Sequence, residues 1–430
     1  MTAGLSPSKK RGMKRQDTLK KLNICLLLHH DYVSWNGWVR SAFTEMYAHY
    51  LSSFGHNITW LLSCRGEVEK HLFGQTRVYP VFYPEGSSLL GRFWGSLLLT
   101  YRKIKAIHRL FTTERYDLIQ AGDTLLDGIM AIYIKRRYKI PFVFKRDDLT
   151  GREWHSASRK YIYLYPIFVV IGWLGNLILQ SLIRRADLII STSQFMAERL
   201  IASGAPQEKL LVIRRGVNTA RFPFDKESKN IKRRYHLAGC SPIIYVGATS
   251  RIRNLDMLLR AFVRVKALNK DARLVIVGSG DKGYLNELAL TLGIQEDTIF
   301  TGQVPYTDVP SFISVAKVAV CPLPPIDLYR VSSPTKLFEY LVMAKPIVAN
   351  EEIPEHKEVL EQSGGGILVP YDEESFARAI IELLTNPQKA TDMGQKGKKW
   401  VEENATYELL ARKVEKGYFE LLGRLGKAHV

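Results

Sequence analysis

Short apolar runs alternate with amphipathic stretches along most of the chain, and the alternation happens twice. In the first half the apolar runs are 22–28, 58–63, 78–83, 117–120, 141–145, 187–192 and 210–214. In the second half they are 243–247, 273–278, 298–302, 318–322, 346–350 and 366–370. Each run has strand length, and the stretches between, such as 254–268 and 375–385, space their apolar residues as a helix does. Parallel strands need a crossover, usually a helix, so this order implies βαβ units and parallel sheets. A pause falls near 216–232, and 430 residues are too many for one core. The expected fold is α/β, with two Rossmann-like doubly wound domains facing across a cleft. The first spans 22–215 behind a basic tail, 1–21; the second spans 216–406; a helix in 407–430 is expected to pack back on the first. Ligands of open α/β sheets bind beyond the carboxyl ends of the strands. Gly37, Gly247, Gly278, Gly280 and Gly302 fall at such ends.

The net charge of +19 is lopsided: residues 1–215 hold 32 Lys/Arg against 16 Asp/Glu, and 216–430 hold 29 against 26. A basic first half suits an anionic partner. A nucleic-acid binder would interleave aromatics with these cations in a recognisable module, and none is visible, so no nucleic acid is expected. Two stretches favour a membrane surface. Residues 161–183 carry no charge and lie between Arg159-Lys160 and Arg184-Arg185. They allow an interfacial element, a core helix or a span, with Pro166, Gly172 and Gly175 weakening the last. Residues 89–111 mix Leu89, Leu90, Phe93, Trp94, Leu97 and Leu98 with Arg92, Arg102, Lys103, Lys105 and Arg109, the pattern of a basic interfacial helix or of a packed helix with a solvated face. The cysteines, Cys25, Cys64, Cys240 and Cys321, form no CxxC pair and suggest reduced thiols, neither a disulfide frame nor a zinc site. Residues 1–21 are basic and polar, unlike a secretory signal. The expected location is cytoplasmic, peripheral or monotopic on the cytoplasmic face of the membrane.

The stretch Ser332-Ser-Pro-Thr-Lys-Leu-Phe-Glu339-Tyr-Leu begins as a helix begins, with serines able to cap and a proline suited to the first turn. It then places a carboxylate, Glu339, among Leu337, Phe338, Tyr340 and Leu341, which a plain core helix would not do. A helix start offers unpaired N–H groups to an anion. Upstream, the strand ending at Gly247 is followed by Arg251 and Arg253. Glycine admits close approach to the backbone, and arginine forks onto phosphate oxygens. Taken together, the two stretches supply cations on one side and backbone donors on the other, as a diphosphate requires.

On these residues the chain resembles the retaining GT-B fold glycosyltransferases, family 4 (glycosyl transferases group 1). The resemblance runs through IIYVGATSRIRNLDMLLRAF, RLVIVGSGDKGYLNELALTLGI, IFTGQVPYTDVPSFISVAKVAVCPLPP, the Ser332 stretch and GGGILVPYDEESFARAIIELLTNP. It resumes in RRADLIISTSQFMAERLIASGAP and VIRRGVNTARFPF. The resemblance implies a metal-independent hexosyltransferase that takes a UDP or GDP sugar as substrate and needs no cofactor. It implies that Glu339 holds the ribose hydroxyls, and that Ser333, Pro334, Thr335 and Lys336 form the loop cradling the diphosphate. It places Arg253 where the family often has a phosphate-binding lysine, with Arg251 assisting. It sets Gln303 and Val304 beside the base, and Gly37 and Gly247 in the glycine loops near the donor. The catalytic candidates are thus Arg253, Arg251 and Glu339. The implied reaction is front-face transfer with retention to a membrane-associated, lipid-linked acceptor.

Three departures bear on the sugar. The family often has a second Glu eight residues before Glu339; here it is Val331. Gly-Arg is replaced by Gly247-Ala248, and His-Asp by Arg146-Asp147-Asp148. Asp123, Asp147 and Asp148 are acceptor-side candidates. The alternatives are a nucleotide-sugar epimerase of the same fold, a transferase with a soluble acceptor, and an inactive scaffold. No DxD or His/Cys grouping stands out as a metal site.

Overall fold

The computed structural model describes residues 21–28, 44–64, 76–82, 89–122, 124–146, 165–223 and 229–427. Two parallel sheets organise them. The first contains β1 (Asn23–Leu28), β2 (Asn57–Cys64), β3 (Arg77–Phe82), β4 (Leu118–Ala121), β5 (Phe142–Arg146), β6 (Leu188–Ser191) and β7 (Leu210–Val212), in the order β3-β2-β1-β4-β5-β6-β7. The second contains β8 (Ser241–Val246), β9 (Ala272–Val277), β10 (Thr298–Gly302), β11 (Val318–Cys321), β12 (Ile347–Asn350) and β13 (Gly366–Val369), in the order β10-β9-β8-β11-β12-β13. Each of the thirteen apolar runs is a strand, displaced by at most two residues at either end. Runs buried on both faces leave little ambiguity about strand identity.

Four helices follow strands of the first sheet: α1 (Leu89–Thr113), α2 (Leu125–Tyr138), α3 (Tyr165–Arg185) and α4 (Gln194–Ala202). Local chemistry starts two of them: Thr124 accepts from the Asp127 N–H and Ser193 from the Met196 N–H. The crossovers β3→β4, β4→β5, β5→β6 and β6→β7 all step the same way along the sheet. Right-handed connections therefore set all four helices on one face, over a core that includes Leu27, Ile119, Phe144, Ile183 and Ile189. In the second domain the helices used below are α5 (Thr335–Val342), α6 (Pro354–Ser363) and α7 (Pro387–Asn404), and the chain closes with α8 (Tyr407–Arg424).

α8 packs on the opposite face of the first sheet. Tyr407, Leu410, Val414, Tyr418 and Leu421 share a core with Leu26, Trp60 and Leu118. Two buried polar contacts fix its register. Tyr418 donates to Gln120, and His56 receives the Leu22 N–H on Nδ1, which leaves its Nε2–H to donate to Glu415 at 2.8 Å. The chain thus passes between the domains twice, side by side: Val217 N–H donates to Ala405 at 3.0 Å and Tyr407 N–H to Val217 at 3.1 Å. Gly216 is required there, because a Cβ would stand 2.3 Å from the Ala405 oxygen.

The uncharged stretch 161–183 divides in two. Residues 161–164 lie outside the described residues. Within α3, Leu182 and Ile183 are core, while Val170, Trp173, Leu174 and Leu177 are exposed. Among the described residues no helix is long and apolar enough to cross a membrane, so the spanning option is not taken up. Cys25, Cys64 and Cys321 are buried free thiols and Cys240 is a half-buried one.

Candidate functional site

The carboxyl ends of β8, β9 and β10 meet the start of α5. Gly247 (φ +145°) and Gly278 (φ +148°) turn the chain where side chains would not fit: a Cβ on Gly278 would stand 1.9 Å from the Gly247 oxygen. A Cβ on Gly247 would stand 2.7 Å from Lys336 Nζ, so the lysine head lies directly beneath the glycine loop.

Lys336 is in the first turn of α5. Its Nζ lies below the surface, 3.9 Å from the centroid of the Tyr245 ring, and has no hydrogen-bond acceptor among the described residues. Burial above all, with Arg253 adding to it, pulls its pKa down to about 8 against the opposing effect of Cys321 and Glu339. A buried ammonium held only by a ring face is strongly undersatisfied, and a phosphate oxygen would complete it. No side chain caps α5; the Leu337 N–H turns back on the Pro334 carbonyl at 3.1 Å, and the Thr335 and Lys336 amides begin the helix beside this ammonium.

The two arginines part company. Arg253 lies over the Tyr329 ring at 4.6 Å, on the side of the Ser332–Thr335 loop. Arg251 turns the other way, over Tyr284 at 4.0 Å and 3.7 Å from Asp281 Oδ2. Arg253 thus joins Lys336 and the α5 amides, and Arg251 does not.

One turn beyond Lys336, Glu339 is only 5% exposed, and its Oε1 accepts from the Tyr306 hydroxyl at 2.6 Å. Tyr306 follows β10, three residues after exposed Gln303 and two after half-buried Val304. Sequence reasoning passed over Tyr306; its position just beyond the Gln303–Val304 pair was the available signal.

Ser333 faces elsewhere. Its hydroxyl accepts the Arg215 N–H at 3.0 Å and donates to Glu355 Oε1 at 2.8 Å. What it can offer an anion is therefore its backbone and not its side chain. Glu355, in the first turn of α6, is buried; desolvation raises its pKa to about 7 against the opposing pull of Arg214. Arg214 is 3.8 Å from Glu355 and also pairs with Glu358. This cluster ties the Ser332–Thr335 loop to the interdomain crossing, and sequence reasoning missed it because its members are far apart in the chain.

Val331 has a structural reason to be apolar. It is fully buried in the core of the first domain, and its carbonyl accepts from Ser193 at 2.7 Å. Beside it Arg330 lies over Phe195, and Asp327 pairs with Arg199 at 3.4 Å. A segment of the second domain is thus plugged into the first at the edge of the cleft. On the other wall, Lys145 and Arg146 are buried at the end of β5. Gly37, Asp123, Asp147 and Asp148 lie outside the described residues. Among the described residues no three or more His, Cys, Asp or Glu gather as a metal site.

Two family models match the chain: Glycosyl transferases group 1 over residues 230–400 and Glycosyltransferase Family 4 over 41–221. Among curated proteins, the GDP-mannose-dependent alpha-(1-6)-phosphatidylinositol monomannoside mannosyltransferase of Mycolicibacterium smegmatis is 25% identical over 244 residues. That match takes in 54% of this chain and 63% of the relative, so less than two thirds of the relative is spanned. Among solved structures, a sucrose-phosphate synthase from Thermosynechococcus elongatus superposes with a TM-score of 0.72 at 17% identity, covering 94% of this chain and all of that one. Anabaena HepE, solved with UDP and glucose, gives 0.66 at 16% identity over 92% of this chain and 98% of its own. With two parallel-sheet domains facing across one cleft, and two family models that together take in more than half of its length, the chain belongs to the GT-B fold glycosyltransferases of group 1 and family 4.

Proposed function

We propose that the protein transfers a hexosyl group, with retention, from a nucleoside-diphosphate sugar to a lipid-linked acceptor at a membrane surface. The observation that carries the donor half is the convergence of Lys336, Arg253 and the uncapped start of α5 beneath Gly247, with Glu339 one turn further on. The diphosphate lies between the Gly247 loop and the α5 amides. The ribose hydroxyls donate to Glu339, which Tyr306 holds from the opposite side. Gln303 and Val304 flank the base.

In the transfer, the bond between the anomeric carbon and the diphosphate oxygen breaks as an acceptor hydroxyl attacks the same face. The acceptor proton passes to the departing phosphate oxygen. Negative charge grows on that phosphate in the transition state, and Arg253, Lys336 and the α5 amides are placed to stabilise it without moving. No protein base is needed. The relative named above takes GDP-mannose and acts on a phosphatidylinositol monomannoside. That pairing supports a nucleoside-diphosphate hexose and a phospholipid-borne sugar as the substrate classes here, and a location on the cytoplasmic face, where such donors are made.

The test is turnover with GDP-mannose and UDP-glucose in the presence of total polar lipids, with the product linkage read by nuclear magnetic resonance. An α-linked, organic-extractable product is expected. A β-linked product from an α-donor would rule out retention, and hydrolysis alone with either donor would rule out the lipid acceptor.

A further inference from the structure

We propose that the face formed by α1, α2 and α3 of the first domain docks on an anionic lipid bilayer, apolar half toward the cleft and basic half away from it. This rests on the lipid-acceptor reading above and adds the surface that reaches the lipid. α2 lies between α1 and α3 and touches both. Nineteen large apolar side chains are exposed among the described residues; four are on α1, three on α2 and four on α3. These three helices are a small part of the chain, so the concentration is not the usual scatter of single exposed apolar groups. The largest are Trp94 (66% exposed) and Tyr101 on α1 and Trp173 (61%) on α3, with Leu126 and Ile129 on α2 between them. The side chains of Leu89, Leu90, Arg92 and Phe93 lie outside the described residues.

The charge on the face points to anionic lipid as its occupant. α1 carries five Lys/Arg, α2 three and α3 two. The three helices hold one carboxylate, Asp127, and it is buried against Lys103 at 2.7 Å, so none of them offers a carboxylate to solvent. A protein partner would ordinarily meet charges of both signs; a phosphate-rich surface meets only cations. The layout fits as well. Each helix follows a parallel strand and returns antiparallel to it, so all three begin at the cleft end of the sheet. On α2 and α3 the exposed apolar groups all precede Arg136, Arg137, Arg184 and Arg185; on α1 Trp94 and Leu97 come first, exposed Arg102 and Lys105 flank Ile104, and Arg109 follows. Apolar groups next to the cleft would enter the headgroup–acyl boundary where a lipid-borne hydroxyl emerges, while the cations lie along the phosphates. Among the described residues no helix is long and apolar enough to cross, which suits a face that lies on the bilayer.

The full chain is sedimented with vesicles of phosphatidylcholine alone and of phosphatidylcholine with phosphatidylglycerol, at low and high salt. Wild type is expected to pellet with the anionic vesicles and less so at high salt. Arg109→Ser, Arg136→Ser and Arg184→Ser together are expected to weaken binding about a hundredfold at low salt, about a factor of five for each cation, and little at high salt. Trp94→Ser with Trp173→Ser is expected to weaken it about tenfold or more at both salts. Leu126→Ser with Ile129→Ser tests α2 separately and is expected to act as the tryptophan pair does. Near-ultraviolet circular dichroism checks that each variant is folded. Wild type left in the supernatant with both vesicles, or folded variants that pellet as wild type does, would overturn the proposal. So would a dimer in sedimentation velocity that the tryptophan pair splits, which would make the face an interface between copies. Vesicle binding without any lipid-linked product would instead sink the acceptor reading and leave this one standing.

Discussion

Glu339 is a carboxylate that its sequence neighbours give no reason to bury, and Tyr306 helps the fold tolerate it: the phenol donates to Oε1. Glu339→Ala is expected to weaken binding of UDP or GDP by about 1.5–3 kcal/mol, the worth of a hydrogen bond to a charged group, and Tyr306→Phe by about 0.5–1.5 kcal/mol. Calorimetry reads both, and unchanged affinity in the alanine variant would remove Glu339 from the ribose site. The arginines make a matched pair. Arg253→Ala is expected to lower kcat at saturating donor by about tenfold or more, because leaving-group charge is largest in the transition state. Arg251→Ala, already neutralised by Asp281 and stacked on Tyr284, is expected to stay within about twofold of wild type. Equal losses from the two would contradict the geometry.

At the scale of elements, the start of α6 and the segment before α5 bind the domains together. Glu355 ionises in the unfolded chain near its ordinary value of 4.5 but in the folded protein only near 7. Its raised folded-state pKa means that the native state holds the extra proton between these values. The stability it contributes is therefore complete below about pH 4.5 and is lost as pH rises through about 7. Glu355→Gln is expected to flatten the fall in melting temperature across that window; an unchanged slope would mean that Arg214 keeps Glu355 ionised throughout. The neighbouring plug makes a second prediction. Val331→Glu restores the carboxylate the family often has, yet places it in the apolar core of the first domain. Loss of about 3–5 kcal/mol in denaturant unfolding is expected, as for an uncompensated buried charge. A neutral effect would show that this segment leaves the first domain easily.

On the scale of the whole molecule, the last helix belongs to the first domain's core although it follows the second domain in sequence. A chain ending before Tyr407 loses the core groups Tyr407, Leu410, Val414, Tyr418 and Leu421. At about 1.5–3 kcal/mol for each, the loss rivals the about 5–15 kcal/mol that stabilises a typical domain. Such a chain is expected to leave the first sheet unprotected in hydrogen exchange while β8–β13 stay protected. Protection retained in β1 and β4 would show that the first domain needs no cover on that face.

Much of this organisation was legible in the sequence because it is local or periodic. Each strand announced itself as a short apolar run, since a strand buried on both faces cannot be polar on either. The start of α5 and the glycine ends of β8 and β9 were readable because a helix start and strand-end glycines are local signals. The contacts that complete the site were not legible. Tyr306 reaches Glu339 across 33 residues, Glu355 reaches Ser333 across 22, and Ser193 reaches Val331 across 138. Of Tyr306, Glu355 and Ser193, only Tyr306, just beyond the Gln303–Val304 pair, lay beside a residue that the sequence had singled out. Arg251, expected to assist Arg253 from two positions away in the same turn, lies instead over Tyr284, while Arg253 lies over Tyr329. The sequence by itself determined the two parallel sheets, because hydrophobic period is a local property. Only the tertiary structure decided which cations gather near Gly247, why Val331 is apolar, and that three separate helices present one carboxylate-free face, because each depends on side chains that meet only when distant segments pack.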